Sequence, residues 1–312
     1  MKICMQTQNM VGRVGAKQAY RMFREAGFEA IDWSLDQSWN SSVVCSSKEL
    51  KGLCIFEKDL DEIMAYYAEE LACIQENGLK ISQAHAPTPA YTRGRYDLLE
   101  YAIGIYRKMI RFCQAVGCER LVIHGISVSP RGTITEDECN VLNWHLYESL
   151  IPELSQSKVV VCIENLYLMF NSWHNQDIYA GMFSNPYKAA AFIDELNAKA
   201  GKRCFGICLD TGHLHLTRQR FCEYVPIVGD RIRALHIHDN MQNYDSHLMP
   251  YAGSIRWQDF LTMLKSVGYD GDLSFQTFAQ VEARNTPVEL VPSFLRAMAR
   301  VGNYFRTQLQ NA

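Results

Sequence analysis

The repeating unit that decides the fold is clearest between residues 119 and 164. Residues 119–124 have the sequence ERLVIH and residues 158–164 have the sequence KVVVCIE, two short apolar runs typical of buried strands. Residues 135–154, which lie between them, have the pattern of a helix. A strand, a helix and a second strand in this order predict two parallel strands joined by a crossover helix.

The same alternation continues on both sides of this unit. Strand candidates lie at 2–7, 29–33, 80–85, 119–124, 158–164, 203–209, 231–238 and 271–276. Helix candidates lie near 16–27, 58–77, 96–116, 135–154, 186–200, 218–229, 256–267 and 287–309. Eight strands alternating with eight helices predict an α/β fold, a (β/α)8 TIM barrel that forms a single domain over residues 1–312. An open doubly wound sheet is the alternative.

Composition excludes several classes of protein. The chain of 312 residues has 48% hydrophobic residues and a net charge of −3, from 31 basic and 34 acidic residues. This balance is typical of a folded globular protein and gives no basic footprint for nucleic acid. No stretch approaches the ~18 consecutive apolar residues of a membrane span, and residues 2–7 begin a strand rather than a signal sequence. We expect a cytoplasmic protein that binds neither nucleic acid nor membranes.

The eleven cysteines contain no CxxC pair. An odd number without paired spacing does not predict a disulfide framework or a zinc ribbon. We therefore expect reduced cysteines, most of them in the core, and look for metal ligands among other side chains.

Polar residues stand at the C-terminal ends of the predicted strands three to eight. They are His85, His124, Glu164, Asp210, His236, His238 and Gln276. In a barrel these ends converge on one mouth, so residues far apart in sequence become neighbours. Histidines and carboxylates that arrive together are what a divalent cation needs. The long connections 34–57 and 165–185 follow strands two and five, where loops usually build or cover an active site.

Seven short motifs carry a family resemblance. They are HAP at 85–87, VIHG at 122–125, IEN at 163–165, LDTGH at 209–213, HIHDN at 236–240, DSHLMP at 245–250 and GSIRW at 253–257. Together they resemble the xylose-isomerase-like TIM-barrel superfamily, which includes sugar isomerases, sugar epimerases and nucleases of the endonuclease IV type. The spaced DxxH and HxxD pieces are the more specific part of this likeness.

The resemblance implies a divalent metal ion, such as Mn, Mg, Co or Zn, held at the mouth. Its ligands would be Glu164, Asp210, a histidine of strand seven and a side chain of strand eight. His236 is the expected histidine because Asp239 follows it by three positions, as in the family. His238 is the alternative, because residues i and i+2 point to the same side of a strand.

Strand eight departs from the family. Gln276 stands where the family usually has glutamate. An amide oxygen still coordinates a cation, but it cannot transfer a proton as a carboxylate does. The second proton would then fall to a histidine, or the reaction would need only one base, or the protein would bind a sugar without turning it over. A further interpretation is that Gln276 is only an amide that packs in the core or supports the ligands.

The function that this resemblance implies is a metal-dependent sugar isomerase or epimerase, or a related lyase. The metal would polarise a carbonyl and stabilise the enediolate, while Glu164 removes the neighbouring proton and His213 acts in catalysis or binds a hydroxyl. Candidate substrate-binding residues are His85, His124, His213, His238, His247 and Trp33, with Trp39 and Trp173 as further stacking candidates. The substrate would be a small sugar or sugar phosphate, with Arg93, Arg95, Arg131 and Arg218 as candidate phosphate ligands. A homo-oligomer fits the resemblance, because barrels of this family often pair.

Two other functions remain open. One is an endonuclease IV-like zinc phosphodiesterase acting on abasic DNA. For this function the resemblance implies a wider set of zinc ligands: His85, His124, Glu164, Asp210, His213, His236, Asp245 and His247. The net charge of −3 opposes a DNA substrate. A non-catalytic sugar-binding relative is supported by Gln276 alone.

Overall fold

The eight predicted strands form one parallel sheet that curls into a barrel. The computed structural model describes residues 1–127, 134–171, 176–283 and 285–310. Its strands are β1 (Ile3–Gln6), β2 (Ala30–Ser34), β3 (Lys80–His85), β4 (Arg120–Ile123), β5 (Val160–Glu164), β6 (Tyr167–Asn171), β7 (Gln176–Ala180), β8 (Phe205–Asp210), β9 (Ile232–His236) and β10 (Leu273–Phe275). The barrel order is β10-β1-β2-β3-β4-β5-β8-β9, and every neighbouring pair is parallel. The predicted TIM barrel is confirmed.

β9 and β10 pair through a single β-bridge that lies just beyond β9. Ile237 donates its backbone N–H to Ser274 over 2.8 Å and accepts the N–H of Gln276 over 3.1 Å. This short contact completes the ring of strands and brings the ends of β9 and β10 together at the mouth.

Helices cover the outside of the barrel. They are α1 (Met10–Val14), α2 (Ala16–Ala26), α3 (Ser41–Ser46), α4 (Leu60–Tyr66), α5 (Ala68–Glu76), α6 (Tyr96–Val116), α7 (Glu136–Glu148), α8 (Ile151–Ser155), α9 (Pro186–Ala200), α10 (Thr211–Leu216), α11 (Phe221–Val228), α12 (Trp257–Ser266), α13 (Ala279–Glu282) and α14 (Val291–Gln310). The main core lies between these helices and the strands. A smaller apolar layer inside the barrel consists of Val122, Cys162, Cys208 and Ala234. It lies beneath the polar strand ends.

Several elements differ from the sequence prediction. The predicted helix 58–77 is two helices, α4 and α5, and the helix predicted at 135–154 is α7 followed by α8. The connection after β5 contains an antiparallel hairpin of β6 and β7. All eleven cysteines are free, and nine of them are buried. Within the described part of the chain, no helix is both long enough and apolar enough to cross a membrane.

Candidate active site

A cavity of about 370 Å³ opens at the C-terminal ends of the barrel strands. Its lining includes four of the predicted histidines together with Glu164 and Gln276, and both long connections contribute to it. The lining residues are Gln6, Gln8, Asp36, His85, Thr88, His124, Glu164, Leu166, Tyr167, His213, Asp245, His247, Gln276 and Phe278. None of these described lining residues is a lysine or an arginine.

Glu164 is the centre of the polar cluster. It is the last residue of β5, 1% exposed, and imidazoles surround both of its carboxylate oxygens. Oε2 lies 3.0 Å from His124 Nε2 and 3.2 Å from His236 Nδ1, and Oε1 lies 3.1 Å from His213 Nδ1. His85 Nε2 is 3.7 Å from Oε2 and 3.1 Å from His124 Nε2. Four histidines from four segments therefore converge on one carboxylate.

Hydrogen bonds hold both the side chain and the backbone of Asp210. As N-cap of α10, its Oδ1 accepts the N–H of His213 over 2.6 Å. Asn165, from the IEN motif, donates its side-chain amide to the Asp210 carbonyl over 3.0 Å and accepts the Asp210 N–H over 2.7 Å. The carboxylate is consequently held in place before any ligand arrives.

His236 is fully buried and contacts three carboxylates. Its Nδ1 is 3.2 Å from Glu164 Oε2 and 3.9 Å from Asp210 Oδ2. Its Nε2 is 3.1 Å from Asp32 Oδ2 on the opposite side of the ring. These are close polar contacts, since neither ring nitrogen completes a hydrogen bond among the described residues.

His238, predicted as a substrate-binding side chain, is not among the residues that line the cavity. It is fully buried behind the cavity, where its Nε2 lies 2.9 Å from Asp210 Oδ1 and 3.0 Å from Oδ2. Its ring packs on Gly212, at which an added Cβ would lie only 1.9 Å from the ring. His238 therefore supports the Asp210 carboxylate from the side away from the cavity.

A second cluster lies beside the first and is centred on Asp245. Asp245 Oδ2 is 2.9 Å from His247 Nε2 and 3.4 Å from His213 Nε2, and it accepts the Tyr167 hydroxyl over 3.3 Å. His247 Nδ1 lies 3.0 Å from the Gln276 carbonyl, and its ring stacks on Phe278 with centroids 4.1 Å apart. Tyr167 comes from the β6–β7 hairpin, so the long connection after β5 forms part of this cluster.

The electrostatics of the two clusters keep their carboxylates ionised. Burial alone raises the pKa of Glu164, but His236 and His124 outweigh it and hold the pKa well below its ordinary value. His213 and His247 likewise depress the pKa of Asp245 against the effect of burial. Burial lowers the pKa of His213, whereas Asp210 and Asp245 raise it more, so the net shift is upward. Asp36 differs, because burial raises its pKa above the ordinary value.

The donor set fits a divalent cation. Glu164, Asp210 and His213 each offer a ligand atom within 4.8 Å of the others, and so do His85, Glu164 and His236. A third group, around Asp245, consists of His213, His238, Asp245 and His247. Buried polar atoms without a hydrogen-bond partner in the described residues cluster here, among them His236 Nδ1, Asp245 Oδ1 and Gln276 Oε1. Buried polar atoms normally have a hydrogen-bond partner, so these unpaired atoms indicate where a cation would bind.

Of the predicted tryptophans, the two in the described residues, Trp33 and Trp39, do not line the cavity. Trp33 is 2% exposed and packs against Tyr67 and Phe112 in the core between barrel and helices, with ring centroids 5.1 and 5.6 Å away. Trp33, predicted to bind substrate, is not among the residues that line the cavity. Trp39 is also buried and donates its Nε1–H to the Thr88 carbonyl.

The three candidate phosphate ligands in the described residues, Arg93, Arg95 and Arg218, do not line the cavity either. Arg95 pairs with Asp97 at the surface, and Arg93 and Arg218 are exposed outside the cavity lining. Arg131 and Trp173 lie outside the described residues.

Sequence reasoning missed several residues of the site. Asp32 and Asp36 carry carboxylates on β2 and just after it, and Gln6 ends β1 beside Gln276. Asp32 had a signal, since it is an acidic residue within the buried run EAIDW. Asp36 had none, because a single acid in a long loop is ordinary.

The fold and the site now place the chain among known proteins. The family model of the xylose isomerase-like TIM barrel matches residues 21–298, and the chain belongs to this family. The protein y4fM of Sinorhizobium fredii is 24% identical over 274 residues, which cover 84% of this chain and 81% of y4fM. The resemblance inferred from the motifs is thus confirmed.

Solved structures of sugar epimerases share the fold. The 3-keto-D-glucoside 4-epimerase of E. coli has a TM-score of 0.66 at 15% identity, over 98% of this chain and 99% of the epimerase. The D-allulose 3-epimerase of Methylomonas sp. also has a TM-score of 0.66, at 14% identity, over 99% of this chain and 97% of that chain. Identities this low show a common fold and leave the activity of this chain to its own residues.

Proposed function

We propose that this protein is a divalent-metal-dependent sugar isomerase or epimerase that moves a proton on the carbon next to a carbonyl. The observation that carries the proposal is that His236 Nδ1 lies 3.2 Å from Glu164 and 3.9 Å from Asp210, with unsatisfied polar atoms, beside a cavity large enough for a monosaccharide. The sugar epimerases with the same fold support the class of substrate.

Glu164, Asp210 and His236 would hold the cation, with the free amide oxygen of Gln276 as a fourth ligand. A cation bound there would supply the positive charge that polarises a sugar carbonyl. Gln276 Oε1 has no hydrogen-bond partner among the described residues, which suits a ligand better than a structural amide. The absence of described lysines and arginines from the cavity lining favours an unphosphorylated sugar.

Proton transfer needs groups at the cavity that differ in their state of ionisation. Glu164 is ionised and able to accept a proton, and His213 is able to return one because its pKa is raised. Asp36 reaches the cavity from the loop after β2, and its raised pKa suits it to carry the proton that Gln276 cannot. His85, His124 and His247 would bind substrate hydroxyls at the mouth.

Deuterium exchange tests this function. The protein, loaded in turn with Mn2+, Mg2+, Co2+ or Zn2+, is incubated in deuterated water with a panel of ketohexoses and 3-keto-glucosides, and NMR follows the carbon beside the carbonyl. We expect deuterium incorporation and a new epimer or isomer, both abolished by a chelator and by Glu164→Gln. Tight binding of sugar and metal without exchange across the panel would instead indicate a binding protein.

One observation favours a zinc phosphodiesterase as a second candidate. The cluster around Asp245 provides a further set of ligands, and His85 with His124 extends the first set. Several metal ions in one cavity are typical of enzymes that cleave phosphodiesters. Three equivalents of zinc per chain, together with incision of abasic DNA, would support this candidate over the epimerase.

A further inference from the structure

Asp32 is a buried carboxylate inside the barrel, and the proposed reaction gives it no role. It lies on β2, fully buried, and Oδ2 accepts the side-chain amide of Gln83 over 2.8 Å and the hydroxyl of Ser274 over 3.1 Å. Oδ1 is also buried and has no hydrogen-bond partner among the described residues. Burying a charge in this way is costly unless another charge compensates it.

His236 is the ionisable partner within reach of Asp32. In the described part of the chain, the one ion-pair contact of Asp32 is with His236 Nε2 at 3.1 Å. Both side chains are fully buried, so water cannot replace this contact. The pair thus links β2 to β9 across the interior of the barrel.

The two nitrogens of the His236 ring face different carboxylates. Nε2 faces Asp32, whereas Nδ1 faces Glu164 and Asp210, the other two carboxylates of the candidate metal site. An imidazole ligates through a nitrogen without a proton, and a carboxylate at the other nitrogen keeps the proton there. The position of Asp32 therefore selects which nitrogen is free to ligate.

We propose that Asp32 is a positioning residue for His236: its carboxylate, 3.1 Å from Nε2, holds the ring proton on that nitrogen, so that Nδ1 faces Glu164 and Asp210 as the metal ligand. The inference rests on the proposed metal site, and it adds a residue beyond the ligands themselves. A carboxylate in this position raises the basicity of the ligand and restricts the rotation of the ring. Gln83 and Ser274 in turn hold the Asp32 carboxylate.

The first measurement needs no variant. Histidine labelled with ¹⁵N in the Zn2+-loaded protein shows by two-bond couplings which ring nitrogen carries the proton. We expect His236 to carry its proton on Nε2 and to bind zinc through Nδ1. A proton on Nδ1, with zinc at Nε2, would overturn the inference.

The second measurement is the affinity for Co2+, with its visible absorption spectrum as the readout of ligand geometry. We expect Asp32→Asn to weaken binding by about 10- to 100-fold and to change the spectrum. The matched control is Asp272→Asn, which removes a buried carboxylate at the other end of the barrel, where Asp272 accepts the Lys2 N–H over 2.6 Å and the Ser82 hydroxyl over 2.8 Å. The control should leave affinity and spectrum unchanged.

A double variant separates orientation from general stability. If Asp32 acts through His236, Asp32→Asn causes no further loss of Co2+ affinity in a His236→Ala background. An equal loss in both backgrounds, or wild-type affinity in Asp32→Asn, would overturn the inference while leaving the metal site intact. A wild-type protein that binds no Co2+ would overturn the metal site as well.

Discussion

At the scale of single residues, the spacing between Asp210 and His213 has a folding cause as well as a chemical one. Asp210 is the N-cap of α10, and the capped N–H belongs to His213, the third residue of that helix. The DxxH motif therefore stabilises the start of the helix and delivers two side chains to the mouth in one turn.

Gly212, inside the same motif, leaves room for the ring of His238. A methyl group at Gly212 would lie 1.9 to 2.6 Å from three ring atoms of a fully buried histidine. We expect Gly212→Ala to push the ring away from Asp210 and to lower the free energy of unfolding by about 1–3 kcal/mol in urea denaturation. In the control Gly104→Ala, the new methyl group meets open space on α6, so stability should be kept or raised. Equal stability of the two variants would contradict this packing.

The protonation of His213 would make metal binding at the Asp245 cluster depend on pH. Its pKa lies well above the ordinary value because Asp210 and Asp245 outweigh the effect of burial, so the ring carries a proton at neutral pH in the absence of metal. Zinc bound at the Asp245 cluster must displace that proton. We expect the affinity for zinc to fall as the pH is lowered through neutrality, with proton release visible by calorimetry in buffers of different ionisation enthalpy. An affinity that does not change with pH would contradict the assigned charge state.

At the scale of elements, the segment after β9 is organised around one buried carboxylate. Asp239 accepts the backbone N–H groups of Tyr251 and Ile255 over 3.1 Å each and the indole N–H of Trp257 over 3.0 Å. The chain between Asp239 and Tyr251 carries Asp245 and His247, so Asp239 indirectly positions the second cluster.

Removal of this carboxylate should loosen the whole segment. We expect Asp239→Ala to lower the free energy of unfolding by on the order of 3 kcal/mol, because several buried donors lose a charged acceptor at once. Asp270→Ala, at an exposed aspartate, is the control and should change stability by less than about 0.5 kcal/mol. Urea denaturation compares the two, and a loss in Asp239→Ala no greater than in the control would refute the organising role.

The barrel strands could be predicted from the sequence because each is a short apolar run with a helix on either side. The hairpin β6–β7 and the short helix α10 could not, since their form depends on contacts with other parts of the mouth rather than on local periodicity. Tyr167 illustrates this, because its hydroxyl bonds to Asp245, a residue 78 positions later in the chain.

At the scale of the whole molecule, the C-terminal helix α14 covers the place where the first and last strands meet. A Cβ at Gly302 would lie 2.6 Å from Ile3 on β1 and 3.0 Å from Phe275 on β10, which shows how closely the helix approaches the sheet. Phe305, fully buried, packs against Trp257 with ring centroids 5.3 Å apart. The ends of the chain thus stabilise the closure of the barrel.

Truncation of Phe305 should weaken this closure. We expect Phe305→Ala to lower the free energy of unfolding by about 3–5 kcal/mol, the usual result of opening a cavity at a buried phenylalanine. Tyr304→Ala, at the neighbouring residue that is 47% exposed, should have a much smaller effect. Comparable losses in the two variants, measured by chemical denaturation, would show that α14 does not seal the core as described.

The candidate site could be predicted in part from the sequence, since strand ends in a barrel meet whatever separates them along the chain. In the structure, His236 contacts both Glu164 and Asp210, and Gln276 is part of the cavity lining. The run EAIDW does not show which face of β2 each residue occupies; in the structure, Asp32 lies against His236 and Trp33 packs against Tyr67.

The metal content of the purified protein tests the central claim most directly. Elemental analysis would compare the wild type with Glu164→Ala, Asp210→Ala and His236→Ala, using Asp272→Asn as a folded control. We predict a stoichiometric divalent metal in the wild type and the control, and its loss in each of the three ligand variants. A wild-type protein without bound divalent metal, or ligand variants that retain it, would contradict the account.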